Sequence, residues 1–343
     1  MSLPPIVGIT MGDPVGIGPE IIVKSLLNKD INKICRPLVI GDQTVISQAV
    51  NKLNAKITCR VITGKIEKEE FCFNRIAIFD SQKTGLSSLS YGNPDKETSK
   101  VMAFAIKEAV RLALDRKIDA IVTAPINKEA LRRAGYSYPG HTEFLGVLTR
   151  AKNSIMMLAG DSLKVVLTTT HHPLKEVSNL ITSKKILTTI EAANSALKHY
   201  FGIASPRIAV AALNPHGGEE GIFGDEEKRI ISPAIKEAAN SGIDVKGPFP
   251  SDSLFYQAIK GNYHLVVCMY HDQGMIPIKL LGFHNAVNVT LGLPIIRTSP
   301  DHGTAYDISG KGIADPSSML RAIELAARMA KIRYQSHNDG NAV

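Results

Sequence analysis

Short apolar runs rich in β-branched residues recur along the chain, separated by longer stretches of helical period. That alternation restricts the fold to a βαβ protein with a largely parallel sheet. Runs at Ile6–Thr10, Pro37–Ile40, Ile76–Phe79, Ala120–Thr123, Lys164–Thr169, Arg207–Ala212 and Leu265–Met269 read as strands. In Lys96–Arg116, residues Val101, Phe104, Ala105, Glu108 and Leu112 recur at the spacing of one helix stripe. Further helices are expected at Ser183–Tyr200, Glu226–Ser241 and Pro316–Ile332.

With 343 residues the chain is long enough for two lobes sharing a cleft, and 44% apolar against 21% charged residues excludes disorder as its overall state. No repeat, heptad series or Pro/Gly/Ser-rich linker divides it. The run Lys65–Glu70 reads as a solvated loop or helix face, and the polar end Gln335–Val343 has little to bury and is expected to fray. The 40 Lys and Arg against 32 Asp and Glu give a net charge of +8, which admits acidic small molecules, nucleic acid or a membrane surface as partners. No recognition-helix or aromatic stacking motif accompanies that charge, which argues against nucleic acid. Cys35, Cys59, Cys72 and Cys268 form no C-x-x-C pair, so a reducing compartment is expected rather than a disulfide framework. No basic leader opens the sequence and no apolar run reaches about eighteen residues. The expectation is a cytoplasmic protein without membrane association.

Four segments carry chemistry. The turn Thr10–Glu20 has glycines and a proline where a strand passes into a helix, which suits either a structural turn or a ligand loop. It lacks the third glycine of a dinucleotide fingerprint, since position 21 is Ile21, and no Gly-Lys-Ser/Thr follows to make a P-loop. The second is a set of histidines, His171, His216 and His271, each just beyond an expected strand. In a parallel sheet those ends face one crevice, so three neutral imidazoles could hold a divalent metal and leave positions open for substrate; each is otherwise an ordinary loop histidine. His172, next to His171, reads as structural.

The third is a group suited to an anion: His141 and Thr142 at an expected helix start, then Lys279, Asn288 and Arg297. Each has a plainer reading as a cap, a surface charge or an ion pair. The fourth, Pro300–Pro316, is a run of small residues that would let backbone approach a flat ligand and that reads, unaided, as a glycine-rich loop.

These segments together closely resemble the 4-hydroxythreonine-4-phosphate dehydrogenase family of pyridoxal phosphate biosynthesis. The resemblance runs from Ile6 to about Ile332. It is carried by Met11-Gly-Asp-Pro-Val-Gly-Ile-Gly-Pro-Glu20, Thr123-Ala-Pro-Ile-Asn-Lys128, Gly140-His-Thr-Glu143, Asn214-Pro-His-Gly-Gly-Glu219, Tyr270-His-Asp-Gln-Gly274 and Asn288-Val-Thr-Leu-Gly-Leu-Pro294. Asp301–Pro316 also looks like the nicotinamide-nucleotide loop of isopropylmalate and isocitrate dehydrogenases. The stretch Tyr136–His141 and the run Met269–Phe283 are similar to the paralogues that oxidise 4-phospho-D-threonate and 4-phospho-D-erythronate.

The resemblance implies an α/β fold of two α/β/α lobes with a central cleft, like the isocitrate and isopropylmalate dehydrogenases and unlike a Rossmann fold. We place one lobe at 1–135 plus 290–335, with the cofactor loop, and the other at 136–289, with metal, substrate and dimer contacts. It implies metal ligands at His171, His216 and His271, substrate contacts at His141, Thr142, Lys279, Asn288 and Arg297, and cofactor contacts at His302, Gly303, Ala305 and Asp307. The cofactor would be NAD or NADP, with one divalent ion, Zn, Mg or Co. A homodimer would share its active sites, with metal ligands from both chains.

The expected reaction is oxidation of a secondary alcohol followed by loss of CO2, most simply 4-phospho-D-threonate or 4-phospho-D-erythronate to dihydroxyacetone phosphate. The alternatives are 4-phosphooxy-L-threonine to 3-amino-2-oxopropyl phosphate, oxidation of cyclic dihydrodiols, or a non-catalytic metal or phosphate-binding module. Lys128, Asp252 and Asp272 are candidates for the base because they sit beside motif segments.

Overall fold

The computed structural model describes residues 3–338 apart from 65, 67–70, 81–85, 87, 88, 137, 139, 283 and 284. Of the run Lys65–Glu70 only Ile66 is described, so the loop-or-helix reading there lies outside the described residues, as do 339–343 of the polar end.

The chain forms two compact units, Met1–Ser154 with Leu293–Tyr334, and Ile155–Gly292 with the end of the chain from Gln335. The division falls later than 135/136. The helix that opens at His141 belongs to the first unit because Phe144 and Leu145 are buried in that unit's core, beside Leu131 and Met102.

The first unit contains β1 (Ile6–Thr10), α1 (Gly18–Leu26), α2 (Ile31–Ile34), β2 (Arg36–Ile40), α3 (Gln43–Lys52), β3 (Thr58–Ile62), β4 (Arg75–Phe79), α4 (Lys96–Leu114), β5 (Ala120–Thr123), α5 (Lys128–Arg133) and α6 (His141–Thr149). After the second unit it resumes with β12 (Arg297–Pro300) and with α12 (Ser317–Asn338) as far as Tyr334. Its strands lie in the order β3-β4-β2-β1-β5-β12, all parallel. β1 is buried along its whole length, and at Gly8 a Cβ would come within 2.5 Å of Ile118 Cδ1. α4 starts where it does because Asp95 and Thr98 form a capping box: Thr98 N donates to Asp95 Oδ1 at 2.8 Å and Asp95 N to Thr98 Oγ1 at 3.0 Å. α12 continues through 338, so the first residues of the polar end, 335–338, are drawn as helix.

The second unit contains β6 (Ile155–Ala159), β7 (Lys164–Leu167), α7 (Val177–Leu180), α8 (Ser183–His199), β8 (Ile208–Ala211), α9 (Ser232–Asn240), β9 (Val245–Phe249), α10 (Ser251–Ile259), β10 (Leu265–Cys268), α11 (His271–Leu281) and β11 (Val287–Leu291). Its order is β11-β6-β7-β10-β8-β9; β7, β10, β8 and β9 run parallel, and β6 is antiparallel to both neighbours. The segment expected as one helix, Glu226–Ser241, divides into a π-helical turn, Glu227–Ile231, and α9. Among the described residues no helix is long and apolar enough to cross a membrane.

Candidate functional site

In the second unit the chemistry sits just beyond β7, β8 and β10. Thr168 and Thr169 tie the exit of β7 to that of β10, donating backbone N–H groups to the Cys268 and Met269 carbonyls at 2.8 and 3.1 Å. This places His171 opposite the first residue of α11, and the rings of His171 and His271 lie 5.7 Å apart between centroids. His271 Nδ1 is 2.7 Å from Asp272 Oδ1. A carboxylate accepts, so Nδ1 donates; in the neutral ring that leaves the lone pair on Nε2, the tautomer a metal-binding imidazole needs.

The last two residues of the Tyr270–Gly274 motif each have a task. Gln273 is buried, accepts from Met269 N at 2.6 Å, and donates to the Ala212 carbonyl at 2.6 Å and to Ser251 Oγ at 2.8 Å, binding the ends of β8 and β10 to the start of α10. At Gly274 a Cβ would lie 2.9 Å from Leu167 Cδ2 and 3.0 Å from Cys268 Sγ, so glycine lets α11 rest on β7 and β10.

His216 lies apart. Residues 216–220 all adopt the left-handed conformation, with φ of 55° at His216, 43° at Glu219 and 54° at Glu220. That is costly for side-chain-bearing residues and persists only where surroundings hold it. The Glu227 carboxylate anchors the segment that leads into this turn, accepting from Leu213 N and Asn214 N at 2.8 Å and from Asn214 Nδ2 at 3.0 Å. The exposed His216 ring packs near Phe223, 6.2 Å between centroids, with Nδ1 3.9 Å from Glu219 Oε1. Among the described residues no three His, Cys, Asp or Glu side chains meet as a metal-holding group. This chain therefore brings together His171 and His271 and leaves His216 elsewhere. The pair fits a divalent cation in donor type and in having one imidazole oriented by a carboxylate.

Lys279 stands in the last turn of α11 and Asn288 on β11, where the side-chain Oδ1 is buried without a hydrogen-bond partner. Thr168 Oγ1, at the exit of β7, is likewise buried and unpartnered; the sequence pattern marks it only as part of the expected strand Lys164–Thr169. Asp252 is exposed in the first turn of α10.

In the first unit, Arg297 is buried at the start of β12 and donates from Nε and Nη2 to Thr123 Oγ1 at 3.1 and 2.7 Å. Burial pulls its guanidinium down to about 9, against the pull of Glu143, which still leaves it charged at neutral pH. His141 opens α6; its ring Nε2 is out of contact with solvent and has no partner. Burial, then the positive charge of Arg297, holds its pKa well below the ordinary 6.5, so the ring is neutral. Thr142 follows in the first turn, whose N–H groups point out of the helix start. A buried guanidinium, a neutral imidazole with an unused nitrogen and a helix N-terminus together suit an anion with both charge and hydrogen-bonding edges. Lys128 is exposed at the first position of α5.

The turn at Gly12–Glu20 and the loop Asp301–Pro316 are partners. Ile17 N donates to the Thr304 carbonyl at 3.0 Å, Ser309 Oγ to the Val15 carbonyl at 2.6 Å, and Tyr306 Oη to Asp13 Oδ2 at 2.5 Å. Burial raises the Asp13 pKa, and the Tyr306 hydrogen bond works against that rise. Glycine is required at position 12, where φ is +72° and a Cβ would lie 2.5 Å from the Pro125 carbonyl. Of the two readings the turn allowed, its contacts within this unit are those of a seat for the second loop. On that loop His302 Nδ1 is 3.1 Å from the Gly303 carbonyl, which fixes the proton on Nδ1 and leaves a buried, unpartnered Nε2. Gly303 and Asp307 are exposed, and Ala305 takes φ of 42°.

The family model described as pyridoxal phosphate biosynthetic protein PdxA matches residues 33–326. A curated relative, 4-hydroxythreonine-4-phosphate dehydrogenase of Desulforapulum autotrophicum, is 49% identical over 328 residues, 96% of each chain. D-threonate 4-phosphate dehydrogenase of Cupriavidus necator is 46% identical, over 96% of this chain and 98% of that protein. Among solved structures, the 4-hydroxythreonine-4-phosphate dehydrogenase of Klebsiella pneumoniae superposes with a TM-score of 0.90 at 42% identity, covering 96% of this chain and 99% of that one. The identities therefore give the paralogues no closer standing than the biosynthetic relatives.

Proposed function

The chain belongs to the PdxA family of dehydrogenases, oxidoreductases acting on a CH–OH group, and from that premise we propose that it oxidises a phosphorylated hydroxy acid with a nicotinamide cofactor and releases CO2. The observation that carries this reading is the His141–Arg297 arrangement: a neutral imidazole whose buried Nε2 lacks a partner, under the field of a buried guanidinium, at a helix start. Such a site favours a phosphate or carboxylate oxygen that accepts from Arg297 and from the first-turn N–H groups of α6.

His171 and His271 would hold the divalent ion, with Asp272 keeping His271 in the metal-binding tautomer. His216 would complete the set from a second copy of the chain, in a homodimer that shares its sites. Exposed Ile276, Leu280 and Leu281 on α11, with Ile222 and Phe223 beside the His216 turn, supply apolar surface for such an association. When bound, the ion supplies polarisation of the hydroxyl and stabilisation of enolate charge. Lys279 and Asn288 would contact the substrate, and His302, Gly303, Ala305 and Asp307 the dinucleotide, NAD or NADP. Because Asp272 is committed to His271, its role is to orient rather than to remove the alcohol proton.

Within this chemistry 4-phospho-D-threonate or 4-phospho-D-erythronate is the substrate proposed, giving dihydroxyacetone phosphate. The 49% identity to a 4-hydroxythreonine-4-phosphate dehydrogenase favours 4-phosphooxy-L-threonine as the second reading. Initial rates of reduced-cofactor formation with the three phosphorylated acids, each beside its unphosphorylated parent, decide between them. The proposal expects the highest kcat/KM on a phosphorylated sugar acid. Highest efficiency on the amino acid would establish the second reading, and equal turnover without phosphate would overturn both.

A further inference from the structure

Glu20 and Lys24 sit one turn apart on α1 and form an ion pair at 2.9 Å, with only 7% and 20% of their side chains exposed. Both reach the same two residues of the distant loop. Glu20 accepts from Gly312 N at 3.1 Å and Ala314 N at 2.8 Å; Lys24 Nζ donates to the Gly312 carbonyl at 2.9 Å and the Ala314 carbonyl at 2.6 Å. The pair thus satisfies both backbone polar groups of both residues, as a neighbouring strand would. Gly312 meets this with φ of +74°, a conformation that favours glycine. Upstream, Tyr306 is held by Asp13 and the Ser309 hydroxyl by the Val15 carbonyl. Every one of these contacts is to the loop's backbone or its inward side chains, so the loop's exposed residues, Gly303 and Asp307 among them, remain turned to solvent.

We propose that Glu20, Lys24 and Asp13 are positioning residues for the nicotinamide cofactor: they preset the Asp301–Pro316 loop so that binding the dinucleotide does not have to order it. This rests on the reading of that loop as the cofactor segment. A loop ordered in advance binds more tightly by the factor its competent population rises.

The test measures NAD binding by calorimetry, with amide exchange at Gly312 and Ala314 followed in the same proteins. Glu20→Gln and Lys24→Met each remove a charge at nearly constant size. The expected result is NAD affinity about ten-fold weaker, faster exchange at both amides, and a rise in KM for NAD without a matching rise in KM for the phosphorylated acid. Tyr306→Phe deletes one hydroxyl and is expected to weaken NAD about three-fold, which keeps the proposal testable if the charge variants fail to fold. Wild-type NAD affinity in the folded variants, or equal rises in both KM values, overturns the proposal. His302→Ala and Asp307→Ala separate this outcome from failure of the cofactor-loop reading. If they weaken NAD while the Glu20, Lys24 and Tyr306 variants do not, the positioning role alone is wrong; if they too leave NAD binding intact, both readings fall.

Discussion

Gln273 donates from Nε2 to the Ala212 carbonyl at 2.6 Å while its Oε1 accepts from Met269 N at 2.6 Å, so one buried amide joins the exits of β8 and β10. Gln273→Leu orphans the buried Met269 N–H and leaves the Ala212 carbonyl only its long, 3.5 Å contact from Ser251 Oγ. A loss of about 3 kcal/mol is expected, since each orphaned group costs roughly 1–3 kcal/mol. The midpoint and slope of urea unfolding measure it.

His141 links burial to pH. Its folded pKa lies well below the ordinary 6.5, so below that value the unfolded chain takes up a proton that the folded chain refuses. The stability this group lends is present above 6.5 and is lost as pH falls, by up to about 1.4 kcal/mol per pH unit. Urea unfolding at pH 7.5 and 5.5 should show a larger drop for the wild-type protein than for His141→Asn, by about 1.4 kcal/mol; equal drops would mean the ring protonates freely in the folded state.

At Gly12, φ of +72° and the nearby Pro125 carbonyl both oppose a side chain. Gly12→Ala should destabilise the first unit by about 2–4 kcal/mol, combining left-handed strain with a backbone clash. A thermal melt reads it. A variant melting with the wild type would show that the turn can shift.

The metal reading separates ligand from orienter. His271→Ala should abolish divalent-ion binding followed by calorimetry, whereas Asp272→Asn should weaken it about 10–100-fold and leave the stoichiometry unchanged. Unaltered affinity in His271→Ala would remove His271 from the ligand set.

Much of this was legible from residue pattern. β1 and β5 run over Ile6–Thr10 and Ala120–Thr123 as expected, because buried parallel strands read as continuous apolar runs. β12 was missed because Arg297-Thr-Ser-Pro300 is polar; its side chains are satisfied by Thr123 and, through Thr298 Oγ1, by the Ala322 carbonyl at 2.8 Å. β6 was missed because Ile155-Met-Met-Leu-Ala159 lacks a β-branched run. The partnership of the Gly12–Glu20 turn with the Asp301–Pro316 loop was unreadable: Glu20 finds the backbone of Ala314, 294 positions away, and backbone partners leave no trace in residue identity. Both segments were singled out by sequence, but only folding made them one device. Gln273 lies within a motif visible in the sequence, yet nothing in the string distinguishes a bridging amide from a surface one.

The stoichiometry of a single reaction mixture tests the proposed oxidative decarboxylation most directly. The protein, NAD, a divalent cation and 4-phospho-D-threonate or 4-phospho-D-erythronate are combined, with reduced cofactor followed by absorbance and released CO2 trapped in parallel. One reduced cofactor and one CO2 are expected for each acid consumed. Absence of both products with every phosphorylated acid, in protein shown to bind the cation, would contradict that proposal.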